Sequence, residues 1–520
     1  MGLMTLLCVP IFVSYVTQAH RDAALAMEAS ADLVEYRVDR VQDPEEIERI
    51  VRGSPVRAIV TCRPTSEGGQ SEWPHLPRMV LLTAASAADA AYVDLELESH
   101  RQVDELSNEP TSFPRMIISS HDFSGRPAKL YNIVTEMNAS PSQVNKIVWT
   151  ARSIRDNIEA FEILQSRQKP TIALCMGEAG LISRVLAKKF GAFLTFASLT
   201  KGSGTAPGQI SIHDMKRLYR WDSIGPTTRV YGVVACPVAH SMSPAIHNAS
   251  FDETGEDGVY LPMLVQPGYE SFKAFMEEFT RYKPLHLRGL SVTLPHKENA
   301  LTYLQEQGAE IEPLAIEIGA LNTIIIDRDE NQNPILRGIN TDYHAIIDTI
   351  CAAKGITKEQ LSDYRVAVIG AGGTGRTAVA ALASLGSTVV VYNRTFERAE
   401  ALAAEFNGRI GRVVAARMEK LCDSCCHILI NTTSVGMHPN VNDSPLGDRT
   451  PNFNADTLVF DTIYNPPKTK LLQKAEAAGA ATVGGIEMFV RQAASQFVAW
   501  TGKTAPVATM RRIVEQRLGL

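Results

Sequence analysis

Within the first 200 residues, short apolar and β-branched runs return eight times with helical or loop segments between them, a rhythm that few folds accommodate. The runs are Leu6 to Val13, Asp32 to Val38, Arg57 to Cys62 and Ala91 to Leu97, then Met116 to Ser120, Lys146 to Thr150, Thr171 to Met176 and Phe193 to Ala197. Uninterrupted apolar strands alternating with helices predict a parallel sheet buried on both faces, and eight repeats match a closed (β/α)8 barrel. An open doubly wound sheet is the alternative. The barrel is favoured because polar residues gather at strand ends, Glu35 with Arg37, Arg63, His121, and Lys146 with Arg152, where a barrel mouth would collect them.

The chain has 520 residues, more than one core organises, and its pattern changes at Trp221 to Arg229, where Gly-Pro and two threonines intervene. A new domain is expected near Thr228, with strands at Val230 to Val234 and Gly289 to Leu294, and a further α/β unit near Asp342. With 51 Lys+Arg against 57 Asp+Glu the net charge is −6, so no broad basic field exists to hold nucleic acid. Eight cysteines are too few for a disulfide scaffold and read as reduced thiols. The run Leu3 to Val13 has no Lys or Arg before Arg21 and is too short to cross a bilayer, so it reads as a buried strand. A soluble, cytoplasmic protein is expected.

Three features carry chemistry. Gly370, Gly372, Gly373 and Gly375 form a GxGGxG turn between the strand Val366 to Ile369 and an alanine-rich helix, the arrangement that lets backbone approach a pyrophosphate. After the next strand, Thr388 to Tyr392, an NAD site would present an acid; here stand Asn393, Arg394 and Thr395, with Arg398 a turn later. Cations there favour the 2′-phosphate of NADP, the alternative being solvated charges at a helix start. Lys146 lies inside the apolar run NKIVWTA, where desolvation would make its amine nucleophilic toward a carbonyl, and His121 in SSHDF places a titratable base at the same mouth. Alone, the first reads rather as an exposed lysine at a strand start, and the second equally as a capping or packed histidine. Arg63, Arg184 and Gln209 would bind a small polar or carboxylated substrate. The CxxC spacing at Cys422 to His427 lacks a second ligand pair, so no metal is expected.

Residues 1 to about 222 resemble type I 3-dehydroquinate dehydratase through six motifs in order: VEYRVD (Val34–Asp39), TCRPTSEGG (Thr61–Gly69), SSHDF (Ser119–Phe123), Lys146, GLISR (Gly180–Arg184) and TAPGQIS (Thr205–Ser211). The remainder resembles shikimate dehydrogenase, in HSMSPAIHN (His240–Asn248), SVTLPHKE (Ser291–Glu298), GALNTI (Gly319–Ile324), GINTDYHA (Gly338–Ala345), the glycine turn, NTTSVGM (Asn431–Met437), DTIYNPPKTKLL (Asp461–Leu472) and GGIEMFVRQAASQF (Gly484–Phe497). Together they are similar to the fused, plant-type pair.

The resemblance implies an N-terminal barrel over 1–224, a substrate-binding lobe over 228–340 with helices at about 486–520 packing back on it, and an NADP-binding Rossmann lobe over 341–485. It implies that Lys146 forms an imine with 3-dehydroquinate, that His121 moves the proton, and that Glu67 orients His121. Glu35, Arg37, Arg63, Arg184, Thr205 and Gln209 would line that site. For the second reaction it implies that Ser241 and Ser243 bind the carboxylate, that Thr293, Asn322, Asp342 and Gln492 hold ring hydroxyls, and that Lys297 with Asp342 handles the proton. Tyr464 and Gly485 would complete the cleft, with Gly370, Ala371, Gly372, Gly373, Thr374, Gly375, Asn393, Arg394, Thr395 and Arg398 holding NADP(H). Two other readings are a second half that acts mainly on quinate and a non-catalytic sensor of quinate and NADP; intact Lys146, His121 and Lys297 weigh against the sensor.

Overall fold

The computed structural model describes residues 4–106, 113–200, 202, 204–421, 426–449 and 452–520. Eight parallel strands come first: β1 (Leu6–Phe12), β2 (Leu33–Arg37), β3 (Ala58–Thr61), β4 (Tyr92–Glu96), β5 (Met116–Asp122), β6 (Val144–Thr150), β7 (Thr171–Met176) and β8 (Leu194–Phe196). They are ordered β7-β6-β5-β4-β3-β2-β1-β8, and the Phe193 N–H donating to the Thr171 carbonyl at 2.8 Å brings the last strand against the seventh, so the barrel all but closes. Every expected run is a strand, with two shifts that matter for chemistry. Strand β6 starts at Val144, which puts Lys146 inside the sheet and buries it, and β5 runs on to Asp122, which carries His121 at its end. The surrounding helices follow ordinary rules: in Pro44–Arg52, Asp43 accepts from the Glu45 N–H at 2.9 Å, Pro44 sits at the first turn, and Ile47, Ile50 and Val51 are buried on one face.

A mixed sheet follows, built of β9 (Arg229–Ala235), β10 (Gly258–Leu264), β11 (Leu287–Val292), β12 (Glu310–Ile311), β13 (Thr323–Arg328) and β14 (Pro334–Ile339), in the order β10-β9-β11-β13-β14-β12. A parallel sheet completes the chain: β15 (Arg365–Ile369), β16 (Thr388–Tyr392), β17 (Val413–Ala416), β18 (Ile428–Asn431), β19 (Leu458–Asp461) and β20 (Ala481–Val483). Its order, β17-β16-β15-β18-β19-β20, reverses direction beside β15, the switch point where doubly wound sheets bind ligands. Helices Gly485–Thr501 and Val507–Leu518 return to the mixed sheet, where Val490, Ala493, Phe497, Met510 and Val514 share a core with Tyr231 and Tyr260. The Trp500 indole N–H donates to the Ile324 carbonyl at 3.1 Å and fixes that return. Among the described residues no helix is long and apolar enough to cross a membrane.

Candidate active sites

Barrel side chains alternate across each strand, so inward positions step in twos. Leu33, Ile117 and Val144 belong to an apolar floor, and two residues further along the same strands stand Glu35, Ser119 and Lys146. Ser119 and Lys146 are direct register partners. The next inward positions, Arg37 and His121, reach the C-terminal mouth. All nine residues assigned to this site from the sequence line one cavity: Glu35, Arg37 and Arg63, then Glu67, His121 and Lys146, then Arg184, Thr205 and Gln209.

Inside it charges are tightly paired. Lys146 Nζ donates to Asp94 Oδ2 at 2.8 Å and to Glu35 Oε1 at 3.2 Å, and lies 4.7 Å from the centre of the Phe196 ring. The buried amine is therefore ion-paired as well as desolvated, which the apolar run alone did not foretell. Arg63 donates to Asp94 at 2.7 Å, Glu96 at 2.9 Å and Ser119 Oγ at 2.7 Å. Arg37 grips Asp39 at 2.7 and 3.2 Å over the ring of Phe12. His121 Nδ1 lies 3.0 Å from Glu67 Oε2, which also accepts the His121 backbone N–H at 3.1 Å. Burial pushes the imidazole well below its ordinary value, with Arg63 and Lys146 adding to the effect, and burial pushes Glu67 up to about 7. At neutral pH His121 is a neutral base aimed into the cavity by a carboxyl that titrates there.

Arg184 is different. It is buried on the helix Leu181–Val185, the only hydrogen bond of its guanidinium among the described residues is a 3.4 Å one to the Pro207 carbonyl, and its Nε has none. Burial pushes it down to about 10, and no carboxylate offsets that cost. An unpaired guanidinium on the wall of a polar cavity is a receptor for an anion. On the facing loop Thr205 and Gln209 hold each other, with the Thr205 N–H donating to Gln209 Oε1 at 2.9 Å.

A second group forms where the mixed sheet meets the parallel one. Thr293 follows β11, Asn322 precedes the antiparallel β13, and Asp342 follows β14, so pairing brings all three to one sheet edge. Lys297 opens the helix Lys297–Glu306, and its Nζ donates to Asp342 Oδ2 at 2.5 Å and to Thr374 Oγ1 at 3.2 Å, across to the glycine turn. Asn322 is held by Thr341, receiving its backbone N–H at 2.9 Å and donating to its hydroxyl at 2.9 Å. Ser241 and Ser243 begin the helix Ser243–Thr254, where the Ser243 N–H donates to Ser241 Oγ at 3.3 Å. Tyr464 reaches back from the loop after β19 to the Met242 backbone between those serines and stacks on Phe489 at 4.5 Å, one turn before Gln492.

The turn after β15 suits a dinucleotide by its shape. Gly370 adopts φ +112°, and a Cβ at Gly375 would stand 2.1 Å from the Gly370 carbonyl oxygen, so only glycine lets this helix approach. Gly372 faces open space, while Gly373 lies against the Lys297 side chain. Asn393 Oδ1 accepts the Ala371 N–H at 3.2 Å and ties the turn to the end of β16, and Gly485 packs against the Thr462 carbonyl. Arg394, Thr395 and Arg398 are exposed beside the turn, and neither arginine has a carboxylate partner among the described residues. Residues 422–425 of the Cys422–His427 run lie outside the described residues; His427 Nδ1 accepts the Arg365 N–H at 3.1 Å.

Asp94 is the residue that sequence reasoning missed at the first site, with Glu96 and Ser119 beside it. The signal was there: Asp94 and Glu96 alternate within the otherwise apolar run Ala91 to Leu97, and carboxylates at a spacing of two in a buried strand face one side together.

Family models match along the chain as type I 3-dehydroquinase at 7–226, shikimate dehydrogenase substrate-binding domain at 233–324, shikimate/quinate 5-dehydrogenase at 352–469 and shikimate 5′-dehydrogenase C-terminal domain at 485–515. A chloroplastic bifunctional 3-dehydroquinate dehydratase/shikimate dehydrogenase of Arabidopsis thaliana is 37% identical over 517 residues, covering 96% of this chain and 83% of the relative. A shikimate dehydrogenase (NADP(+)) of Caldanaerobacter subterraneus is 38% identical over 286 residues, 54% of this chain and 94% of the relative. The crystal structure of Thermus thermophilus shikimate 5-dehydrogenase with NADP(H) and shikimate is 32% identical, with a TM-score of 0.46 over 55% of this chain and 99% of that one. With a fused relative 37% identical and matched over 96% of this chain and 83% of its own length, the chain belongs to the bifunctional 3-dehydroquinate dehydratase/shikimate dehydrogenase family.

Proposed function

We propose that the chain carries out two consecutive steps, dehydrating 3-dehydroquinate to 3-dehydroshikimate in the barrel and reducing that ketone to shikimate in the cleft. The observation that carries this reading is Lys146, buried in the middle of a barrel strand on the wall of the cavity that also holds the His121–Glu67 pair. Lys146 forms an imine with the substrate ketone, His121 takes the C2 proton and returns it to the departing C1 hydroxyl, and Glu67 holds His121 in the tautomer that leaves Nε2 free. Arg184, unpaired at rest, takes the ring carboxylate. Glu35, Arg37, Thr205 and Gln209 face the remaining hydroxyls, and Arg63 fixes the carboxylates behind them.

In the cleft, Ser241 and Ser243 bind the carboxylate, Thr293, Asn322, Gln492 and Tyr464 hold the ring, and Lys297 paired with Asp342 supplies the proton to the ketone oxygen. NADP(H) supplies the hydride when bound at the turn Gly370, Ala371, Gly372, Gly373, Thr374 and Gly375. Arg394 and Arg398, with Asn393 and Thr395, select its 2′-phosphate, and Gly485 borders it. The division at 224, 228, 340 and 485 is part of this proposal, supported by the changes of sheet between β8 and β9 and between β14 and β15. A soluble, cytoplasmic setting belongs to the same proposal, supported by the acidic balance of charge and by the lack of a long apolar run in the sequence. Incubating the protein with 3-dehydroquinate and NADPH should yield shikimate. Lys146→Ala should stop dehydration while shikimate oxidation continues; a Lys146→Ala chain that still dehydrates would refute the barrel mechanism.

A further inference from the structure

The Asp94 side chain is fully buried, with 0% of its surface exposed, and it is not on the wall of the cavity that Lys146 lines. One oxygen, Oδ2, accepts from Lys146 at 2.8 Å. The other, Oδ1, accepts from Arg63 at 2.7 Å and from the Ser119 hydroxyl at 2.6 Å. Burial alone would favour its neutral form, but Arg63 and Lys146 outweigh burial and hold the carboxyl well below the usual carboxylate range. A carboxylate so held is a fixed negative charge and a poor proton acceptor. Glu35, 3.2 Å from the same ammonium, stands on the wall and shares its oxygen with Thr61, so it meets the substrate as well as the lysine.

We propose that Asp94 is the counter-ion of the Lys146 nitrogen in each state of the barrel reaction in which that nitrogen is charged, and that it keeps the substrate imine in its cationic form. This rests on the Schiff-base reading of Lys146. The charge balance gives it its force. An ammonium and a ketone condense to an iminium and water: the C–N bond forms, the C–O bond breaks, two nitrogen protons leave with the ketone oxygen, and one proton and the positive charge stay on nitrogen. The cation beside Asp94 is the same before and after. When His121 takes the C2 proton, the C–H electron pair becomes the C2=C3 bond, the C=N π pair moves onto nitrogen, and the nitrogen becomes neutral. The nitrogen pair then re-forms the C=N bond, the C2=C3 pair becomes the C1=C2 bond, and the C1 hydroxyl leaves as water with the proton from His121, which restores the cation beside the same carboxylate. Only the enamine between these steps lacks the ion pair. Without Asp94 the nitrogen would be free to lose its proton as soon as the imine forms, and a neutral imine is a weak sink for the C–H electrons.

Cyanoborohydride reduces an iminium and spares a neutral imine, whereas borohydride reduces both. The probe is 3-dehydroshikimate with each reagent from pH 6 to pH 9, and the readout is the mass of the Lys146 peptide, with cyanoborohydride labelling expressed as a fraction of borohydride labelling. In the unmodified chain that fraction should stay level across the range. In Asp94→Asn it should fall by about tenfold or more toward pH 9, because an opposite charge in contact holds a cation's proton by roughly 1 to 3 pH units. Shikimate oxidation by the same chain, which uses neither residue, reports folding. If the fraction already falls through neutral pH in the unmodified chain, the proposal is overturned whether or not the variant folds; if the folded variant matches the unmodified chain, it is overturned as well. Absence of any borohydride label at Lys146 would instead defeat the Schiff-base reading beneath it.

Discussion

At the scale of single residues, charges that are paired and charges that are not have separate uses in the barrel. Arg63 is saturated by Asp94 and Glu96, and removing it would strand buried carboxylates. Arg184 has no such partner, so Arg184→Met should leave thermal stability unchanged or higher, since a lone buried charge is a cost. The same change should raise KM for 3-dehydroquinate by roughly 10- to 100-fold, the value of a charge-assisted contact. Steady-state kinetics beside a melting curve checks both halves, and a fall in melting temperature with an unchanged KM would make Arg184 a structural residue. The His121–Glu67 pair sets a pH dependence. With one proton too many, the pair presents a protonated Nε2; once the pair loses it, Glu67 accepts from Nδ1 and Nε2 is a base. Because burial raises Glu67 to about 7, kcat/KM for dehydration should rise with pH through about 7 and level off above. A profile already flat from pH 5.5 upward would contradict this.

Secondary-structure elements decide where those residues meet. Strands β5 and β6 run parallel with Ser119 opposite Lys146, so one slip in register would turn the lysine out of the barrel. In the parallel sheet, β15 and β18 end side by side at the reversal of strand order, and the glycine turn fills the crevice. Gly375→Ala would drive a methyl into the Gly370 carbonyl, a contact that backbone cannot relieve. NADP binding should be lost, measured by titration of cofactor fluorescence, with dehydration intact; retained affinity would mean that the turn does not hold the pyrophosphate. Arg394→Ala leaves the turn alone and should lower preference for NADP over NAD by roughly tenfold. Equal use of the two cofactors by the unmodified chain would remove the basis for that expectation.

Over the whole molecule, the barrel and the mixed sheet share one hydrophobic core, running from Leu7 and Val9 through Phe161 and Phe190 to Leu261, Phe275 and Leu285. Phe190 stacks on Phe161 at 4.0 Å and lies 6.1 Å from Tyr282, whose hydroxyl donates to Gln165 at 2.6 Å. Beside it Lys189, pushed down to about 8 by burial, donates to the Pro226 and Thr228 carbonyls of the connecting segment at 2.8 and 2.9 Å, and Arg155 pairs with Glu278. Two catalytic units joined this way should not melt apart. Phe190→Ala should cost about 3 to 5 kcal/mol and lower the temperature at which both activities are lost. Residual assays of each reaction after timed heating would show it; loss of dehydration alone would mean that the shared core does not couple the halves.

The sequence by itself determined the periodic features: eight apolar runs became eight strands, and the glycine spacing became the turn at the switch point, because alternation and missing side chains are written locally. It also held the motif residues of the barrel site, all nine of which converge on one cavity. What only the tertiary structure decided is the pairing of charges. Lys146 reads in sequence as an isolated cation in an apolar run, yet its partners Asp94 and Glu35 stand 52 and 111 positions away. Which arginine is spoken for and which is free for a substrate likewise depends on strands brought together by barrel closure. Coulombic partnership falls off with distance in space, and a linear pattern carries no record of that distance.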